Sequence, residues 1–126
     1  WNYSPWMKHE DGTADPCIQV CILGTRVLDL VWRDRENTLH PGDSFMADMD
    51  FSESNMPVGT LLNIGSATVR VSNKFNDACV KWKVRYGNDA KDWIVMPENI
   101  QYRLRGVLCE VVQDGWVSTG DLIQKV

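Results

Sequence analysis

The chain has 126 residues, a net charge of −4, and a composition that is 44% hydrophobic and 24% charged. That is enough chain for one domain with a core and too little for two, so a single domain over residues 1–126 is expected. The acidic balance excludes a general nucleic-acid binder, which needs a basic footprint. No apolar run has the length of a membrane span, so no membrane role is expected.

The opening residues do not have the layout of a signal peptide. The first residue is Trp rather than Met, which fits a trimmed piece of a longer chain. The four cysteines match no paired-ligand zinc spacing and do not make a disulfide scaffold. Four reduced thiols in a cytoplasmic protein is the expected state. The six tryptophans are expected in packing roles, since indole brings large apolar area and one donor.

Residues 1–16 read as irregular. Asp11-Gly12 and Asp15-Pro16 are turn signals, and Trp1, Tyr3 and Trp6 are expected to dock on the body. A first strand runs from Ile18 to Leu23 within Cys17-Ile18-Gln19-Val20-Cys21-Ile22-Leu23. On a strand, Cys17 and Cys21 would stand roughly 13 Å apart. A disulfide needs Cα atoms within about 7 Å, so the two would not pair. Arg26 to Trp32 follows as a second strand, with Leu28, Leu30 and Trp32 on one face. Arg33 to Asn37 is polar and leads into a turn at His40-Pro41-Gly42-Asp43.

Residues 44–56, rich in Met and Asp and without periodicity, read as a loop. Pro57-Val58-Gly59-Thr60 opens a hairpin whose arms are 61–64 and 67–71. Gly65-Ser66 is its two-residue turn, because Gly supplies the positive φ such turns need. A second hairpin is expected near the end, with Val107 to Gln113 pairing Trp116 to Ser118 across Asp114-Gly115. Helical signals are poor, and only 79–86 and 97–101 could hold a short helix. Short strands, Gly turns and no βαβ rhythm predict a mostly β fold: an antiparallel, strand-rich distorted barrel with at most one or two short helices.

The chemistry centres on Cys79. As a strand, Cys79 to Arg85 puts Cys79, Lys81, Lys83 and Arg85 on one face. As a helix, it puts Lys83 one turn from Cys79. Either way a cation lies near the sulfur, which favours the reactive thiolate and an anionic ligand. Alternating Lys and Val is equally what a solvent-facing strand looks like, with lysines guarding its edge.

His9 and His40 have no Ser or Cys at a recognisable motif spacing, and His40 beside Pro-Gly reads as a surface residue. Asp48, Asp50 and Glu53 do not have EF-hand spacing and read as a solvated loop, so no metal site is expected. No Walker loop or Gly-x-Gly-x-x-Gly is present, which excludes a classical nucleotide site.

Taken in order, three segments resemble the MOSC domain, the C-terminal domain of molybdenum-cofactor sulfurases. His40-Pro41-Gly42-Asp43 with Val58-Gly59 through Ile64-Gly65 is similar to that family's Pro-Gly-Asp turn and later hairpin. Asn76-Asp77-Ala78-Cys79 falls where the family carries its characteristic cysteine. Arg105-Gly106-Val107 through Gly120-Asp121 is similar to its closing pattern, and the likeness spans about 24–124.

The resemblance implies a barrel-like fold, binding of the molybdenum cofactor (molybdopterin), and sulfur carried on Cys79 as a persulfide. By charge analogy, Lys81, Lys83, Arg103 and Arg105 would hold the pterin phosphate. A sulfur donor or a molybdoenzyme would be the partner. Pyridoxal phosphate is not expected in this chain, since nothing marks a Schiff-base lysine. The chain departs from the family at Ser44-Phe45-Met46, where Gly-Glu-Asn is common, at Ala78, where Pro often precedes the cysteine, and upstream, where no Gly-Asp-Arg-rich opening segment is recognisable. Two other readings stay open: a binding module on the same barrel whose pocket is lined by Trp and Met, and a homodimeric structural subunit.

Overall fold

A computed structural model describes residues 15–126. The expectations for Trp1, Tyr3, Trp6, His9 and the Asp11-Gly12 turn lie outside the described residues.

Asp15 caps a 3-10 turn at Pro16–Ile18 by accepting from the Cys17 N–H at 2.9 Å. The first strand, β1 (Val20–Gly24), therefore starts two residues later than expected, and Cys17 lies on the turn. Ile22 and Leu23 are both fully buried although their side chains leave β1 on opposite faces. Ile22 enters the barrel interior and Leu23 enters a second apolar cluster beneath the helices.

The segment expected as a second strand is a helix, α1 (Thr25–Val31). Its buried residues, Leu28 and Val31, are three apart, and Leu30 is left 64% exposed. Val27, Leu28, Leu30 and Val31 fit positions i, i+1, i+3 and i+4 as well as a strand. The helical face packs on the cluster around Leu23, and that burial decided the conformation. The helix carries the chain across to β2 (Phe45–Ala47), which pairs parallel with β1 at Ile22↔Phe45. This is a βαβ unit inside a sheet expected to be antiparallel, and β2 lies in the segment expected to be all loop.

The central hairpin forms as expected. β3 (Leu61–Ile64) and β4 (Ala67–Val71) pair antiparallel with Ile64↔Ala67 at the turn. Gly65 has φ +57, and a Cβ there would stand 2.3 Å from the Trp116 carbonyl oxygen, so only glycine fits. Leu62, Ile64, Val69 and Val71 alternate inward and are buried.

Of the two readings of Cys79 to Arg85, the helical one holds. α2 (Val80–Tyr86) buries Trp82 and Tyr86 one turn apart and leaves Val80 and Val84 exposed. Gly87, with φ +98, ends it and opens α3 (Asn88–Val95), which buries Ala90 and Ile94. A 3-10 segment at Pro97–Tyr102 matches the expected short helix there. Three α-helices among the described residues exceed the expected one or two; α1 and α3 are the additions.

The second expected hairpin does not form. β5 (Val107–Gln113) lies between β1 and β4. Val107, Leu108 and Cys109 are buried in succession, so this stretch needs cover on both faces, which a terminal hairpin would not give. Asp114-Gly115 instead steers the chain over the tip of the central hairpin. There the Trp116 N–H donates to Ser66 Oγ at 2.8 Å and its carbonyl accepts from the Ser66 N–H at 3.1 Å. The last strand, β6 (Ile123–Lys125), pairs with β3.

The sheet order is β2-β1-β5-β4-β3-β6, a six-stranded mixed sheet curled into a nearly closed barrel. Its interior holds Ile22, Phe51, Met56, Leu62, Ile64, Val69, Val71, Val107 and Cys109. The fold is mostly β, as the sequence predicted. No helix among the described residues is long and apolar enough to cross a membrane.

Candidate functional site

The helical flank holds one part of each of the three segments that carry the family likeness: Asp43, Asn76 to Cys79, and Arg105. Cys79 caps α2: its carbonyl accepts from the Trp82 N–H at 3.0 Å and the Lys83 N–H at 3.3 Å, and its residue is exposed. The segment before it is pinned at both ends. Asn76 Nδ2 donates to the Arg105 carbonyl at 3.2 Å, and Lys91 Nζ donates to the Ala78 carbonyl. Lys91 Nζ also stands 3.9 Å from Asp77.

Arg105 is the centre of this flank. Its guanidinium meets Asp43 in a bidentate pair, Nη1 at 2.6 Å and Nη2 at 2.8 Å. The Asp43 side chain is 1% exposed and that of Arg105 11%. The same guanidinium lies 4.8 Å over the Trp82 ring, and Trp82 meets Tyr86 edge-on at 4.9 Å. Burial alone would lower the Arg105 pKa. The hydrogen bonds and charge of Asp43, with smaller contributions from Cys21 and Cys79, outweigh it and raise that pKa. Two buried donors on this stack, Arg105 Nε and Trp82 Nε1, have no partner among the described residues.

Asp43 is delivered by the His40-Pro41-Gly42-Asp43 turn, which α2 holds in place. Tyr86 OH donates to the Leu39 carbonyl at 2.7 Å, and Arg85 Nη1 donates to the His40 carbonyl at 2.9 Å. His40 accepts the Gly42 N–H on Nδ1 at 3.0 Å and meets Trp32 edge-on at 5.5 Å. It is an exposed residue that shapes the turn. Ser44 follows Asp43 and ties it to β1: its Oγ accepts the Cys21 N–H at 3.2 Å and stands 3.7 Å from Cys21 Sγ.

The five residues singled out by sequence therefore separate. Cys79 and Arg105 both lie on the flank, where Asn76 ties the Cys79 segment to the Arg105 carbonyl. Lys81 and Lys83 are exposed on α2, next to Cys79 in the chain. Arg103 turns away: its Nη1 donates to the carbonyls of Phe51 and Met56, and its backbone is left-handed at φ 47. Burial lowers its pKa, and it serves as a clamp on the loop after β2.

Sequence reasoning missed Asp43, Trp82 and Cys21 as neighbours of the site. Asp43 was visible only as a turn residue, since its partner lies 62 positions away.

Cys17, Cys21, Cys79 and Cys109 are free cysteines among the described residues, and burial pushes the Cys109 thiol up to about 12. In the acidic loop, Asp48 pairs with Arg26 at 2.9 Å and Asp50 accepts the Ser52 N–H at 2.9 Å. No group of three or more His, Cys, Asp or Glu side chains among the described residues is arranged to hold a metal ion.

Hollows lie elsewhere, and two of them border Asp48 and Met49. One of about 440 Å³ is lined by Gly24, Arg26, Asp48, Phe51, Tyr102 and Arg103, among others. One of about 630 Å³ lies between the edge strands β2 and β6 and includes Phe45, Met46, Met49 and Ile123. Neither has Cys79 among its lining residues.

The fold resembles solved structures. A hypothetical protein shares 22% identity over 90% of this chain and 54% of its own, at TM-score 0.61. YiiM from Escherichia coli shares 23% over 92% of this chain and 57% of its own, at 0.60. YiiM from Geobacillus stearothermophilus shares 17% over 88% and 55%, at 0.57. The chain thus spans a little over half the length of these proteins. Comparison with curated proteins gives no match. The sequence profile of the MOSC domain matches residues 15–124, and the chain therefore belongs to the MOSC domain family.

Proposed function

We propose that this chain carries sulfur on Cys79 and binds a molybdenum-cofactor-type anion beside it. The MOSC family is linked to molybdenum-cofactor binding and to sulfurase-related function. The observation that carries the reading is the exposed Cys79 at the cap of α2, three residues before Trp82 of the Asp43–Arg105–Trp82 stack and on a segment that Asn76 ties to the Arg105 backbone.

The donor set fits such a group in its chemistry. Lys81 and Lys83 are free to meet a phosphate, and the thiol offers a sulfur ligand. Arg103, spent on two carbonyls, does not join them. When bound, the cofactor supplies redox chemistry at a metal–sulfur centre.

The chain's own step is a sulfur transfer from a persulfidated donor cysteine. The Cys79 thiolate attacks the donor's outer sulfur, the donor's S–S bond breaks, and its electron pair leaves on the donor cysteine as thiolate. Cys79 is left as a persulfide. A cysteine desulfurase would supply the sulfur, and a molybdoenzyme or its cofactor would receive it.

Intact-mass spectrometry after incubation with a cysteine desulfurase and free cysteine tests this. The wild type should gain the mass of one sulfur atom and Cys79→Ala should gain none. A folded wild type that takes up no sulfur overturns the reading.

A second reading rests on the hollow between β2 and β6, lined by Met46 and Met49, which favours a binding module on the same barrel. Ligand uptake there would be indifferent to Cys79→Ala.

A further inference from the structure

The two buried donors without partners, Arg105 Nε and Trp82 Nε1, need a physical account. A buried N–H left unpaired is costly, so such groups take an acceptor from an ordered water, a ligand or a modification. Both sit on one stack, because the Arg105 guanidinium lies on the Trp82 ring. Trp82 is three residues after Cys79, and a helix cap and the third residue after it share one side of the helix end. Asn76 ties the Cys79 segment to the Arg105 backbone from the other direction. Asp43 occupies Nη1 and Nη2, which leaves Nε as the free edge of the guanidinium.

Other charged or titratable groups stand around this place. Asp77 lies on the same segment, Lys81, Lys83 and Arg85 on α2, Lys91 on α3, Cys21 on β1 and Asp43 on the turn. Lys91 is committed to Ala78 and Asp77, and Arg85 to the His40 carbonyl. Lys81 and Lys83 are solvated. Arg105 is the buried cation among them, held in one geometry.

We propose that Arg105 Nε, with Trp82 Nε1 beside it, is the donor set for the outer sulfur of a persulfide on Cys79, and that Asp43 is a positioning residue acting through Arg105. The inference rests on the sulfur-carrier reading. A persulfide extends the side chain by one S–S bond, about 2 Å, and places its negative charge on the outer atom. That length and charge are what separate it from the bare thiol, so the donors would meet their acceptor only in the loaded state. An Arg that gives two N–H groups to Asp43 and a third to sulfur is used within its five-donor capacity.

The test reads the donors directly. Arg Nε–H and Trp Nε1–H both give signals in proton–nitrogen correlation NMR, here assigned with Arg105→Lys and Trp82→Phe. Cys79 is loaded without any desulfurase in a Cys17→Ser, Cys21→Ser background. Methyl methanethiosulfonate first gives the methyl disulfide. Hydrosulfide then displaces methanethiolate and leaves the persulfide, with loading followed by mass.

On loading, both signals should move downfield and the Arg105 Nε–H should exchange more slowly with solvent. Capping the persulfide with iodoacetamide, which removes its charge, should reverse the shift. Asp43→Asn should weaken the Arg105 shift and speed loss of the outer sulfur to cyanide several-fold. Full loading with both signals unmoved overturns the inference and leaves the sulfur-carrier reading intact. Chemical loading that moves both signals, with no uptake from the desulfurase, sinks the enzymatic reading and leaves the donor assignment standing.

Discussion

Arg103 and Arg105 stand two residues apart, carry the same charge, and have opposite fates. Arg103 clamps backbone: it holds the carbonyls of Phe51 and Met56 and shuts the loop over the barrel interior. Arg105 clamps a side chain, pairing with Asp43 and stacking on Trp82 in the helical flank. The difference reflects two cores of different character. The barrel interior is apolar and filled by alternating strand residues. The flank mixes apolar packing with a buried ion pair and unpartnered donors, and the exposed Cys79 lies at the start of its helix α2. The first is an apolar core, and the second holds the residues to which the proposed sulfur chemistry is assigned.

The sharpest way to break this contrast is at the ion pair. Asp43→Ala would leave a buried guanidinium without its counterion, and breaking such a pair costs about 3–5 kcal/mol. Urea unfolding should show a loss of that size, and a loss below about 1 kcal/mol would mean that the pair is solvated. In the barrel, Leu62→Ala should cost about 2–5 kcal/mol by the same measurement while leaving the rate of Cys79 alkylation unchanged. A change in that rate would show that the two cores are coupled.

The smallest effect concerns Cys109. Its thiol titrates near 9.0 unfolded and is raised to about 12 when folded, so the unfolded state loses its proton first. The neutral thiol's contribution is complete below pH 9 and falls as pH rises toward 12. The slope is about 1.4 kcal/mol per pH unit. Thermal melts from pH 8 to 11 should fall more steeply in the wild type than in Cys109→Ala, and parallel curves would refute the shift.

The barrel was legible because its signals are local. The β3–β4 hairpin carries a glycine where φ must be positive and alternation that matches its burial, so turn and register followed from neighbours in sequence. Asp114-Gly115 shows the limit of that logic. It is the stronger short hairpin signal, yet Val107 to Cys109 needed cover on two faces and took β1 and β4 as neighbours instead. α1 was misread for a related reason. Its apolar spacing suits either period, and only the cluster around Leu23 selected the helix.

At the site, the sequence by itself determined the thiol at Cys79, the family to which the ordered segments belong, and the charges available nearby. Tertiary structure alone decided which charges act together. Asp43 reaches Arg105 across 62 positions, Lys81 and Lys83 stay in solvent, and Arg103 leaves for the loop. Residue type and local periodicity are written along the chain. The partner of a buried charge is set by the three-dimensional path that brings distant segments together and by the cost of leaving that charge unpaired.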